Sequence, residues 1–312
     1  MSLLSLKRLG LAAGLSLTLV AAGCGSGDEG NSDGGDAEGG SDSASTNYGE
    51  ELNYEITGIE PGAGVVGAAE SATEEYENLA DWEVVTSSSG AMATALGEAV
   101  ENEEPIIVTG WSPHWKFQKY DLKYLEDPKG VFGEAEQIKT MVRKGLEEDM
   151  PNANTILDQF QWESADIEGV MLEVQNGTSP EEAAKAWVEN NPDKVSEWTK
   201  GTEKVDGKEI ELVYVEWDTE VASTNVVAEV LRNQGFDVTV TPLDNAVMWE
   251  SIASGEADGM VAAWLPGTHG DLYKEHKDNL VDLGVNLEGA KIGLVVPKYM
   301  KVDSIEDLQP AE

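Results

Sequence analysis

The sequence predicts an α/β fold made of two similar lobes, and three observations carry that prediction. Strand-like and helix-like stretches alternate from about residue 48 onward, the pattern of a sheet flanked by helices. The order strand, helix, strand, helix, strand occurs twice, over residues 53–111 and 211–264. Each run closes on the same Trp-x-Pro signature, "VTGWSPHW" at 108–115 and "VAAWLPGTH" at 261–269.

Taken in order, the chain opens on a secretory signal. Lys7 and Arg8 precede the apolar stretch "LAAGLSLTLV", which ends in the small residues "AAG" directly before Cys24. The stretch is too short for a good transmembrane span. Residues 1–23 are therefore expected to be removed, with Cys24 as a lipidation site; its context resembles a bacterial lipobox, with Ala21 standing where Leu is usual. Residues 24–48 are rich in Gly, Ser and Asp and have almost nothing to bury, so they read as a flexible acidic spacer. A coil of that length reaches some ~25–30 Å. The folded part is expected to divide into lobe A, residues 49–140 plus 290–312, and lobe B, residues 141–289.

In the first run, 53–59 reads as a strand, "EPGAG" (60–64) as a glycine turn and 65–79 as a helix. Residues 81–87 read as a strand, 90–104 as a helix and "PIIVTGW" (105–111) as a buried strand. The second run has strands at 211–217, 236–242 and 257–264. Its helices fall at 219–235, where Gly235 supplies the terminal stop, and at 245–255. Residues 116–205 look helical and polar, and "TMVRKGLEEDMPNANTILDQF" resembles a connection with its own amphipathic helix. Trp162, Trp187 and Trp198 lie in this region at packing positions. The last stretch, 291–308, reads as an apolar strand, a Pro break and a short helix.

Composition narrows the function. Twenty Lys and Arg against 60 Asp and Glu give a net charge of −40, a surface that repels nucleic acid and anionic lipid. Such repulsion is best tolerated where salt screens it, the Debye length falling to ~3 Å at 1 M, which suggests a saline or alkaline setting. One cysteine excludes an internal disulfide, and with three histidines no metal or cofactor site is expected. No nucleophile elbow, phosphate loop, dinucleotide fingerprint or His-Glu-x-x-His motif occurs, so no enzyme is predicted.

The aromatics point to binding instead. Trp111, Trp217 and Trp264 close strands at their carboxyl ends, where open α/β sheets bind ligands. Indole faces attract a desolvated cation, and a quaternary ammonium, which donates no hydrogen bond, is selected by such faces. If the glycine turn opens a helix, its free amides at 62–65 can take a carboxylate, and Gly64 permits close backbone approach. On residues alone the same turn could be an ordinary one.

The motifs "GIEPGAG", "PIIVTGWSPHW", "KYLEDPKG", "EWDTEVASTNVV" and "AAWLPGTH…GLVVPKYM" closely resemble the glycine betaine-binding lipoproteins of ABC-type osmoprotectant importers, the OpuAC type. The resemblance runs from about residue 53 to the end. It implies a two-lobe periplasmic-binding-protein fold of type II character, hinged around a ligand cleft, with its halves circularly permuted against the more widespread arrangement. It further implies that Trp111, Trp217 and Trp264 cage the trimethylammonium, and that the amides of Gly64 and Val65 with His269 hold the carboxylate. His114 and Trp115 are expected to support Trp111, and Asp218 and Glu220 to orient the loop around Trp217. The implied partners are a membrane permease with its cytoplasmic ATPase, glycine betaine or proline betaine as ligand, and the membrane through the lipid anchor. Carnitine or ectoine are the alternative ligands. Choline, which has no carboxylate, fits the implied anion site less well. A surface lipoprotein without a ligand is the reading from another class.

Overall fold

Parallel strands need long crossovers, and in the computed structural model, which describes residues 47–310, the alternating helices supply them. In the first half, β1 (Glu55–Thr57), α1 (Gly64–Glu75), β2 (Glu83–Val85), α2 (Ser89–Asn102) and β3 (Val108–Ser112) build a parallel sheet ordered β2-β1-β3. Strands β4 (Leu122–Tyr124) and β5 (Glu136–Arg143) follow, then helices α3 (Pro151–Gln159), α4 (Ser164–Gln175) and α5 (Pro180–Asn190). The second half repeats the plan with β6 (Lys208–Tyr214), α6 (Asp218–Asn233), β7 (Phe236–Pro242), α7 (Asn245–Ser254) and β8 (Gly259–Leu265), ordered β7-β6-β8. The Trp-x-Pro signatures thus end equivalent strands, β3 and β8. The expected signal segment, Cys24 and nearly all of the expected spacer lie outside the described residues.

The two halves share one long strand, β9 (Leu280–Pro297). Its first part, Leu280–Ala290, runs antiparallel to β5, and its second part, from Lys291, runs antiparallel to β3 and β4. Each half therefore consists of three parallel strands with an antiparallel fourth, β9 in the first and β5 in the second. The sheet reads β2-β1-β3-β9-β5-β8-β6-β7 throughout. This is the two-lobe α/β architecture expected, joined through β5 and β9.

Three expectations change. Strand β5 occupies sequence that looked helical or connecting, and its pairing with β8 places Glu136–Arg143 in the second half. The crossing between halves therefore falls before Glu136 rather than after residue 140. Three register shifts along the β5–β9 ladder interrupt its two-residue alternation, which hid the strand from a periodicity reading. At the other end, Tyr48 belongs to the folded part rather than to the spacer. Its backbone N–H donates to Gln309 Oε1 (3.1 Å) and its hydroxyl accepts from the Lys301 N–H (2.9 Å).

Helix α6 is the most buried helix, with eleven inward residues, because α4 and α5 cover the side that the sheet does not. Its buried Asn225 donates its side-chain N–H to the Val221 carbonyl at 2.8 Å, while its Oδ1 has no partner among the described residues. Gly235 follows the helix at φ +95°, and a Cβ there would fall 2.1 Å from the Val205 carbonyl, so the stop requires glycine.

Behind α3 and α4, Phe160, Trp162, Trp187 and Trp198 form one aromatic cluster, with Trp187 stacked on Trp198 at 5.4 Å. These tryptophans pack, as their helical positions suggested. Trp198→Ala should lower stability by about 3–5 kcal/mol, the usual cost of deleting a buried indole. Denaturant unfolding would show it as a reduced midpoint. An unchanged midpoint would mean the cluster is ornamental to the fold.

Candidate functional site

The carboxyl ends of β3, β6 and β8 converge with the start of α1 on a cavity of about 320 Å³, counting its open mouth. Trp111 comes from β3, Trp217 from the start of α6 and Trp264 from β8, and all three line it. Trp111 faces Ile292 across the β3–β9 ladder, and Ile292 is part of the same wall. Trp264 lies opposite Ile138 of β5. The walls are overwhelmingly apolar, so a charge inside would meet indole faces rather than counter-ions.

Gly64 and Val65 form the first turn of α1, with Ala63 as its N-cap, and both line the cavity. Amides in a first turn have no acceptor within their own helix, and the helix dipole adds positive potential there. Gly64 also meets the loop of the other half. A Cβ at this position would lie 2.7 Å from the Thr268 carbonyl oxygen and 2.9 Å from its Cα. The glycine is required by that close approach.

His269 is fully buried but does not itself line the cavity; its neighbour Thr268 does. The imidazole stacks on Trp217, with ring centroids 6.1 Å apart and planes within 11°. Its Nδ1 accepts the Trp264 N–H at 3.0 Å, which leaves the proton on Nε2, and Nε2 has no partner among the described residues. Burial pushes its pKa down to about 3, so the ring is a neutral donor at any ordinary pH.

Two carboxylates tie the halves together beside the cavity. Glu60, in the glycine turn, accepts from the Trp217 indole N–H (3.1 Å) and from the Ser89 backbone (2.9 Å). Asp218 accepts from the Trp115 indole N–H (2.9 Å) and from the Ser89 hydroxyl (3.4 Å). His114 Nε2 lies 3.3 Å from Asp218 Oδ2 but out of hydrogen-bond alignment, and its ring meets Trp111 edge-on at 4.7 Å. His114 and Trp115 therefore stand behind Trp111. Glu220 is buried, and burial raises its pKa to about 8. It accepts the Val215 N–H at 2.8 Å, which fixes the loop leading to Trp217. The halves are closed on each other.

Three participants are not distinguished by the sequence, although two sit within quoted motifs and the third directly precedes one. Glu60 and Thr268 looked like spacing residues in "GIEPGAG" and "LPGTH", and Ile292 looked like one more strand residue. Glu136 was also missed. Buried on β5, it accepts from the Thr268 N–H (3.1 Å) and hydroxyl (2.7 Å) and so holds the loop facing Gly64. Among the described residues no group of three His, Cys, Asp or Glu side chains is arranged to hold a metal ion, and no helix is long and apolar enough to cross a membrane.

A family model described as the substrate binding domain of ABC-type glycine betaine transport systems matches residues 40–190 and 208–312. The glycine betaine/carnitine transport binding protein GbuC of Listeria monocytogenes serotype 1/2a (strain 10403S) is 55% identical over 271 residues, covering 86% of this chain and 90% of that protein. Among solved structures, lactococcal OpuAC in its closed-liganded conformation with glycine betaine is 56% identical over 47% of this chain and 58% of that one, with a TM-score of 0.46. The glycine betaine/L-proline-binding protein ProX of Borrelia burgdorferi is 29% identical over 49% and 58%, with a TM-score of 0.43. The matched region spans less than two thirds of either solved chain.

Proposed function

This chain belongs to the family of substrate-binding domains of ABC-type glycine betaine transport systems, and we propose from that premise that it captures glycine betaine outside the cytoplasm for import. One observation carries the ligand assignment: three indoles from both halves meet on one apolar cavity whose rim is the first turn of α1. A trimethylammonium fits the first feature and a carboxylate the second. Cation–π attraction in a desolvated box is worth roughly 2 kcal/mol or more, and no counter-ion competes for it there. The Gly64 and Val65 amides, which line the cavity, act on the carboxylate. The unpartnered Nε2–H of His269 is the third donor, to be reached by the ligand past the Thr268 wall because the ring itself does not line the cavity. The activity is binding and delivery, without turnover.

Because the cage takes walls from both halves, the ligand favours the closed state over the open one, and that difference in affinity drives closure. A permease with its cytoplasmic ATPase receives the closed protein, and lipidation at Cys24 keeps it at the outer face of the membrane. The name of the Listeria relative supports carnitine as a second ligand, since carnitine carries the same two charged groups. The test is a titration of the soluble protein with glycine betaine, carnitine, proline and choline, followed by intrinsic tryptophan fluorescence. A saturable change strongest with a betaine is the expected result. Equal affinity for choline would remove the anion site, and no response to any would end the transport reading.

A further inference from the structure

Lys116 opens the short helix Lys116–Lys119 after the first Trp-x-Pro loop, and its side chain is wholly enclosed. Its Nζ lies 4.2 Å from the centroid of the Trp111 ring and has no hydrogen-bond partner among the described residues. Gly110 lies beside the amine, and a Cβ there would be in ordinary contact with it at 3.5 Å; it is Val295, 2.4 Å from that position, that excludes a side chain at residue 110. Trp111 lines the cavity and Lys116 does not, so the indole stands between the amine and the ligand space. A lysine with no acceptor, placed against an aromatic wall, is costly to bury as a cation. Packing alone does not explain it, because a methionine fills the same volume without that cost.

We propose that the Lys116 amine sets the affinity of the cavity for a cation: protonated, it draws on the Trp111 π face and repels the ligand through the ring; neutral, it leaves that face free. The inference rests on the cage reading above and deepens it. Two like charges on either side of one indole, with no water between them, interact at low effective dielectric. Burial draws the Lys116 pKa down to about 7, against the pull of the Asp218 carboxylate, so its charge changes within the ordinary range of pH.

The titratable groups that face it do not change charge there. His114, on the same loop, is pushed down to about 4 by burial first and Lys116 second, and stays neutral. Asp218, from the start of α6, loses solvation on burial, but His114, the Trp115 indole N–H and Lys116 outweigh that, and it stays below the usual carboxylate range. Tyr124 of β4, stacked on Phe117 at 5.1 Å, is raised by burial, and Lys291 of β9 lies over its ring. Gly110 of β3 and the Phe117 ring, 5.9 Å from the amine, carry no charge.

The experiment is calorimetric titration of the wild type and of Lys116→Met with glycine betaine from pH 6 to pH 9 at fixed ionic strength. The ligand has no group that titrates in that interval. The wild type should bind roughly tenfold more tightly at pH 9 than at pH 6. The variant should show a flat profile and match, already at pH 6, the affinity that the wild type reaches at pH 9. A flat wild-type profile, or the same slope in both proteins, overturns the proposal while leaving the cage intact. Glu220 also changes charge in this interval, since burial raises it to about 8, so should Lys116→Met fail to fold, Glu220→Gln decides. A rise centred near pH 7 that persists in Glu220→Gln supports the proposal, and a flat profile overturns it. Absence of betaine binding by the wild type at every pH overturns the cage reading and this inference with it.

Discussion

Trp264→Ala should bind glycine betaine at least about tenfold more weakly than the wild type, a loss of one to a few kcal/mol. The expected effect is large because Trp264 supplies one of three walls and because nothing nearby can replace an indole face. The mutation is also clean with respect to the histidine. His269 is held by the backbone of residue 264, whose N–H donates to Nδ1 and whose carbonyl accepts from the His269 N–H at 2.9 Å. Truncating the side chain leaves both contacts, so the lost affinity reports on the ring. Trp264→Phe keeps a smaller π face and should fall between the two. Calorimetry settles the ranking, and an alanine variant with wild-type affinity would rule out Trp264 as part of the cage.

The second large effect is expected at Gly64, with opposite signs in two measurements. Gly64 has ordinary helical backbone at the start of α1, so alanine suits its conformation and favours the helix by up to about 1 kcal/mol. The new methyl would nevertheless press on the Thr268 backbone, less than 3.0 Å away in the closed arrangement. That loop cannot yield easily, because Glu136 grips both the N–H and the hydroxyl of Thr268. Overpacking costs about 1–3 kcal/mol, and here it acts only when the halves are together. Gly64→Ala should therefore keep or raise its melting temperature while losing about ten- to a hundredfold in betaine affinity. A melting temperature that falls along with affinity would locate the damage in the fold of the first half rather than in closure.

The sequence revealed the parts of this molecule whose pattern is local. Strands β1, β3, β6, β7 and β8 and helices α1, α2, α6 and α7 are contiguous runs bounded by glycine, proline or a change of period, and they fall within a few residues of their expected places. Trp111 and Trp264 stood out because repeated position in two similar runs is itself a signal, whereas Trp217 stood out only as a tryptophan closing a strand and through the family resemblance; all three line the cavity. Strand β5 was not, since its irregular ladder mixes buried and exposed positions and turns Glu136 inward. Lys116 was not legible either, because a lysine beginning a polar helix looks solvated until the enclosure around it is seen. Contacts such as Glu60 to Trp217, between residues 157 positions apart, follow from how the halves meet, and no pattern within either half contains them.

The clasp between Tyr48 and Gln309 has a topological consequence. With the Trp82 indole also donating to the Gln309 carbonyl at 3.1 Å, the two ends of the described chain are fastened at one spot on the first half. Such a chain is nearly a closed ring, and its beginning is only the point where the ring is cut. Joining those ends by a short connector and opening the exposed stretch 199–207 would preserve every strand pair in the sheet. Which half is synthesised first is therefore free to differ between proteins that share this architecture, while the cavity and the walls around it stay the same.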